Sequence, residues 1–319
     1  MHFVFDYYRM VCDESKMRKP LKGLIASVFT PMKEDGALNP EMTGPIVSHL
    51  KKNKITALYV CGTNGEGPSL SAAERMLTAE SYLMAANGKL PVIVQVGHNS
   101  LTEAARLAEH AQKAGADALA AFPPSYYKIG SVELLLECLM KISSAAPDIP
   151  FFYYHIPQTN RVDLDMLEFL RKSAYFVPNL AGIIYRGLWT HEYQVCLEFQ
   201  DGRFSMLFGG DEMLTSGLAA GAKGVVGSTF NFAAPLYNRI LSAFRSRDLE
   251  ETRRWQSIAI TMVRILKQFR CQAAFKGAMN LIDLDCGPCR LPLQTLTPKE
   301  LDSLKMKLSD IGFFQWALK

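Results

Sequence analysis

No stretch of this 319-residue chain is apolar for long enough to cross a bilayer. The amino-terminal Met1-His2-Phe3-Val4-Phe5 is apolar, but Asp6, Arg9, Asp13 and Glu14 follow at once, so no signal-peptide core forms. A cytoplasmic protein with a loose extension over residues 1–20 is therefore expected. Long runs of Lys and Arg are missing too. The 35 basic and 31 acidic residues leave a formal charge of +4 that is scattered along the chain, which argues against nucleic acid as the main partner. The cysteines, at 12, 61, 138, 196, 271, 286 and 289, are odd in number and set mostly within apolar runs. They read as reduced core residues, not a disulfide frame. Cys286-Gly-Pro-Cys289 has metal or redox spacing but lacks a second pair or a nearby histidine, so no metal or cofactor is expected there.

What the chain does have is a long alternation of apolar runs and helical periodicity, and a hydrophobic content of 49%. Strands are expected at 24–29, 57–61, 92–97, 118–122, 150–155, 180–185, 205–208 and 224–227. Between and after them helices are expected at 42–54, 72–86, 101–114, 132–146, 164–173, 191–198, 212–220 and 236–247. Strands apolar throughout belong to a parallel sheet covered on its faces, and eight strand–helix units are the number that closes a (β/α)₈ TIM barrel. A doubly wound sheet is the alternative, but Thr30-Pro31 follows the first strand where a dinucleotide fold would carry its glycines. After Arg247 only helices are expected, at 249–269, 273–282 and 298–311. The division is thus residues 1–20, a barrel over 21–247, and a C-terminal helical appendage over 248–319 packed on it.

The polar residues gather where strands end. Cys61-Gly62-Thr63-Asn64-Gly65-Glu66-Gly67 lies between an apolar run and a capped helix start at Ser71. Its glycines let the backbone approach a ligand, and its amides, with the Thr63 hydroxyl and Asn64 amide, suit a small carboxylate. No Gly-Lys-Ser/Thr follows, so it is not a nucleotide loop, and a plain tight βα turn is the other reading. Thr30, Tyr126, Tyr154, His155, Arg186, Asp211, Glu212 and Ser228 close other strands.

Four ordered segments then carry a resemblance. Gly62-Thr-Asn-Gly-Glu66, Tyr154-His-Ile-Pro157, Leu207-Phe-Gly-Gly-Asp-Glu212 and Gly227-Ser-Thr-Phe-Asn231 together resemble the pyruvate-dependent aldolases, the family of N-acetylneuraminate lyase and dihydrodipicolinate synthase. The similarity runs from about residue 21 to 314. It implies that Thr63 and Asn64 grip the carboxylate of pyruvate, that Tyr154 shuttles a proton, and that Gly209, Asp211, Glu212 and Ser228 bind a sugar acid's hydroxyl tail. It also implies a homotetramer in which Tyr126 crosses a subunit interface, and a small keto acid or sialic acid as ligand. His155 reads as a hydrogen-bonded strand-end residue, since the family tolerates Asn there, and Lys276 as structural.

One departure decides the chemistry. The resemblance places a Schiff-base lysine in the sixth strand, where this chain reads Leu180-Ala-Gly-Ile-Ile-Tyr-Arg-Gly187. Ile184 holds the lysine position and Arg186 that of a small hydroxyl residue. Isoleucine has no nucleophile, so no imine forms to take up the electrons of a broken carbon–carbon bond. No register slip supplies one, because no lysine lies between Lys172 and Lys223. Arg186 shares a strand face with Ile184 and suits a carboxylate bidentately. Lyase activity is expected to be absent or much reduced, with ligand binding retained. An active enzyme using another group, or a regulatory partner of an active paralogue, are the alternatives.

Overall fold

The computed structural model describes residues 21–317, and in it eight strands close into one parallel barrel in sequence order. They are β1 (Gly23–Ser27), β2 (Ala57–Val60), β3 (Val92–Gln95), β4 (Ala118–Ala121), β5 (Phe151–His155), β6 (Leu180–Tyr185), β7 (Ser205–Phe208) and β8 (Gly224–Gly227). The helices α1 (Thr43–Lys52), α2 (Ala72–Ala86), α3 (Leu101–Lys113), α4 (Val132–Ser143), α5 (Pro157–Asn160), α6 (Met166–Phe176), α7 (Thr190–Glu198), α8 (Leu214–Ala219) and α9 (Phe230–Arg245) alternate with them. Four more follow: α10 (Leu249–Lys267), α11 (Cys271–Asn280), α12 (Pro298–Asp310) and α13 (Phe313–Ala317). The extension expected over residues 1–20, with Cys12, lies outside the described residues. Among the described residues no helix is long and apolar enough to cross a membrane.

Six of the thirteen helix starts follow from side chains that satisfy the free amides of a first turn. Ser71 with Glu74, and Thr297 with Glu300, form complete capping boxes, and Ser100, Ser131, Asp165 and Asp248 cap singly. The last barrel helix begins six residues before the expected position 236. Pro235 does not break it, because Ala233 leaves helical geometry (φ −128°) and puts the proline in the opening turn of a fresh helical stretch. The short α5 and α13 carry too little periodicity to be read from sequence.

The described residues form two compact units, Ile93–Leu207, and Lys22–Val92 with residues 208–317. In the first, β4 pairs β3 and β5, and β5 pairs β6 with Tyr154 opposite Ile184. Gly182 is obligatory there: a Cβ would fall 1.9 Å from the Ser205 carbonyl oxygen of the next strand. In the second unit, β1 pairs both β2 and β8. Phe232 of α9 meets Phe275 of α11 and Phe313 of α13, so the last helices share the core of the barrel helix beside them.

Candidate active site

Active sites of parallel barrels lie at the carboxyl ends of the strands. After β2 the chain turns back on itself through two non-glycine residues in the left-handed region, Cys61 (φ 59°) and Glu66 (φ 52°). Gly67 is fixed by close approach, since its Cβ would sit 2.0 Å from the Cys61 carbonyl oxygen. Inside the turn Glu66 N donates to Thr63 O at 3.1 Å and Gly67 N to Gly62 O at 3.1 Å. The buried Thr30 hydroxyl donates to Gly65 O at 2.6 Å. That leaves the amides of Thr63, Asn64 and Gly65, which donate to no acceptor among the described residues. Three successive unbonded N–H groups are the makings of an anion cradle. The Asn64 side chain, expected to face a ligand, is buried and donates through Nδ2 to Ser27 O at 3.0 Å.

The β5–β6 wall shows which way its side chains face. Tyr153 packs on Phe169 of α6, His155 stacks on Tyr185 at 5.2 Å between ring centroids, and Tyr185 leans on Tyr193 of α7. Tyr185 also donates to Glu192 Oε2 at 2.6 Å, while Glu192 Oε1 accepts from Met166 N at 3.1 Å. Residues 153, 155 and 185 therefore face the helices, and alternation turns Tyr154, Ile184 and Arg186 the other way. Ile184 is fully buried, while Tyr154 and Arg186 are half-buried. Arg186 N donates to His155 O at 2.8 Å, which extends the ladder past the end of β6. His155 differs from its expected hydrogen-bonded role: its Nδ1 has no hydrogen-bond partner and the ring is held by stacking. Burial pulls its pKa down to about 4.

Past β7 and β8, Asp211 and Thr229 come together. Asp211 Oδ2 accepts from Thr229 N at 2.8 Å and from the Thr229 hydroxyl at 2.6 Å. The Tyr237 hydroxyl lies 2.6 Å from Thr229 Oγ1, and burial followed by the charge of Asp211 pushes its pKa well up. Glu212 Oε1 pairs with Lys267 Nζ at 3.4 Å and its carbonyl accepts from Gln256. Ser228 is half-buried, and buried Gly209 follows β7 directly. Asp211 is thus tied to the first turn of α9, a use the sequence did not announce because Thr229 stands 18 residues away.

In the loop after β4, Asn99 Oδ1 accepts from Ser125 N and Tyr126 N, which presents Tyr126 and Tyr127 at about four-fifths exposure, edge to face. Cys286 and Cys289 are free thiols whose pKa values burial raises to about 12 and 11. Among the described residues no three His, Cys, Asp or Glu side chains gather to hold a metal. Lys276 is 5% exposed at its side chain and sits 2.7 Å from Glu66 Oε1 and 2.7 Å from Pro288 O.

Comparison with known proteins shows the family and the fold to which the chain is similar. The dihydrodipicolinate synthetase family profile matches residues 20–311. The human N-acetylneuraminate lyase is 34% identical over 304 residues, 94% of this chain and 95% of its own length. The native N-acetylneuraminate lyase (sialic acid aldolase) of Aliivibrio salmonicida superposes with a TM-score of 0.90 at 38% identity, covering 93% of this chain and 98% of that one. A Ruminococcus gnavus sialic acid aldolase described as a catalytic lysine mutant superposes at 0.87 with 25% identity, over 96% and 99% of the two chains.

Proposed function

This chain belongs to the dihydrodipicolinate synthetase family, and from that premise we propose that it is an N-acetylneuraminate lyase-like protein that binds a small keto acid or sialic acid and cleaves it slowly or not at all. The observation that carries this reading is Ile184, fully buried and paired in register with Tyr154, at the position of the family's Schiff-base lysine. Without an amine there, pyruvate forms no imine and the carbanion left by cleavage has no electron sink. That a related aldolase is described by its catalytic lysine supports the weight given to this one side chain.

Carboxylate recognition falls to the amides of Thr63, Asn64 and Gly65 in one unit, and in the other Arg186 carries a planar guanidinium that suits a carboxylate. Tyr154 keeps the place of the proton shuttle. Gly209, Asp211, Glu212 and Ser228 keep those of the sugar-tail contacts, with Asp211 doing so while bonded to Thr229. Lys276 is no substitute nucleophile, because its nitrogen is already bound to the Glu66 carboxylate and a carbonyl. The protein acts in the cytoplasm as a homotetramer in which the exposed Tyr126 crosses to a neighbouring subunit.

The test is a cleavage assay with N-acetylneuraminate beside calorimetric titration with pyruvate and N-acetylneuraminate, and borohydride trapping read by intact mass. Binding heat without cleavage or a trapped adduct is expected. A pyruvate adduct on the wild-type chain would overturn the imine-free reading. Neither heat nor a shift in melting temperature would overturn ligand binding for those compounds.

A further inference from the structure

The amides of Thr63–Gly65 stand in a turn whose next residue is a buried acid, and what neutralises that acid comes from the far end of the chain. Glu66 holds its carboxylate at essentially zero side-chain exposure in the left-handed region. Lys276 of α11 reaches Oε1 at 2.7 Å, and the backbone amide of Arg290 donates to Oε2 at 2.8 Å. The Arg290 side chain anchors this contact. Nε and Nη2 donate to Gly36 O, Nη1 to Ser69 O, and the two Nη atoms together grip both oxygens of Glu74 at 2.9 and 2.6 Å. Lys276 also ties back to Pro288 O. Gly287 holds the same segment against the barrel, since Met32 N donates to Cys286 O and a Cβ on Gly287 would lie 2.0 Å from Met32 O.

We propose that Lys276 and Arg290 are positioning residues for the anion cradle, acting through Glu66 from the C-terminal segment. An uncompensated carboxylate beside three outward amides would oppose an incoming carboxylate, and it would not stay buried in a left-handed backbone without partners. The ammonium of Lys276 cancels that charge. The Arg290 amide fixes the second oxygen, so the turn keeps one conformation with its amides free for ligand. Such a buried ion pair specifies geometry more than it adds stability. The inference rests on the keto-acid reading above only for what the cradle binds.

Hydrogen exchange and pyruvate titration on the full chain test it, with wild type, Lys276→Met and the double variant Glu66→Gln/Lys276→Met. In Lys276→Met, exchange in the peptide spanning residues 62–67 rises about tenfold while that of β5 and β6 is unchanged, and pyruvate affinity falls about tenfold. The double variant removes both charges and keeps an acceptor for Arg290 N, so it recovers most of both losses, whereas a merely structural pair would leave pyruvate affinity unmoved in every folded variant. If Lys276→Met fails to fold, Glu66→Gln alone carries the same expectation at a smaller size. Unchanged exchange in the turn, an equal rise in β5 and β6, or losses that add in the double variant would overturn the clamp. A wild-type chain that ignores pyruvate, with the turn still loosened by Lys276→Met, would support the clamp and overturn the keto-acid reading alone.

Discussion

On the proposed function, the turn after β2 and the last residues of β6 are two recognition segments built on different principles. In residues 62–67 the groups offered to a ligand are backbone amides, and the side chains serve to shape the backbone. Thr30 holds the Gly65 carbonyl, Asn64 holds the Ser27 carbonyl, and Glu66 is held by Lys276 and Arg290. In residues 182–186 the backbone is a plain strand, and whatever chemistry occurs there hangs on a single side chain. The first kind of site is spread over several contacts. The second hangs on one, and the proposed function has a chain 34% identical to a lyase over nearly its whole length keep a carboxylate cradle and lack a nucleophile. On the proposed function, binding and bond-breaking are separable because they are written in different parts of the peptide.

The largest effect that would sharpen this contrast is Ile184→Lys. The new amine, desolvated at a fully buried position, has a lowered pKa and is available as a nucleophile near neutral pH. Borohydride should then trap pyruvate on the variant, visible by intact mass, where the wild type traps none. Cleavage of N-acetylneuraminate should rise on the order of a thousandfold or more once Arg186→Ser is added to clear the space the family gives a small hydroxyl. The same change discards a buried isoleucine and should lower stability by about 2–4 kcal/mol in chemical denaturation. A folded variant with no adduct would mean that the two segments have diverged together.

The next effect separates the helix-facing side of the β5–β6 wall from the ligand-facing side. His155 is 1% exposed and stacked on Tyr185, with its pKa lowered by burial to about 4. In the unfolded chain it protonates near 6.5. Between these values the unfolded state takes up a proton that the folded state refuses, so stability is full above pH 6.5 and falls as the pH drops toward 4. The loss is on the order of 3 kcal/mol. His155→Phe keeps the stacking and should flatten that part of the stability–pH curve while leaving pyruvate affinity alone. A curve that still falls equally between pH 6.5 and 4 would show that other groups carry it.

The fold was legible because apolar strands bounded by caps and glycines leave few topologies open. Strand ends were read one or two residues too long at 24–29, 57–61, 92–97 and 118–122, because apolar character continues past the ladder. Cys61 is the plainest case, buried like a strand residue yet already turning at φ 59°. That Ile184 is buried in the sixth strand was legible from the apolar run around it. The Glu66–Lys276 pair was not, because its partners stand 210 residues apart and neither is unusual locally. His155 was misjudged for a related reason. A polar residue at a strand end is ordinarily hydrogen-bonded, and only the neighbouring Tyr185 ring shows that this one is stacked.

A smaller change tests the ligand side of the β6 segment. Arg186→Ala removes a guanidinium suited to a carboxylate but leaves the cradle amides untouched, so pyruvate affinity should weaken about tenfold and not vanish. Calorimetric titration reads this directly. Complete loss of binding would place recognition in the side chain and undo the contrast with the turn. Unchanged affinity would place it wholly in the backbone.

The smallest expected effect is the most discriminating for the turn. If Asn64 serves the backbone and not the ligand, Asn64→Ala should reduce stability by about 1 kcal/mol and shift pyruvate affinity less than about threefold. The stability loss is small because the Ser27 carbonyl keeps a second donor, Asn231 Nδ2 at 2.7 Å, and so is not left buried and unpaired. The affinity change is small because position 64 contributes its amide, which alanine retains, and because Thr30 still holds the neighbouring Gly65 carbonyl at 2.6 Å. Proline at the same position removes that amide, so Asn64→Pro should lower affinity far more than Asn64→Ala in a chain that still folds. Thermal unfolding beside pyruvate titration separates the two roles. An alanine variant that melts like the wild type yet binds about tenfold more weakly would show the Asn64 side chain reaching the ligand, and the cradle would then depend on a side chain just as β6 does.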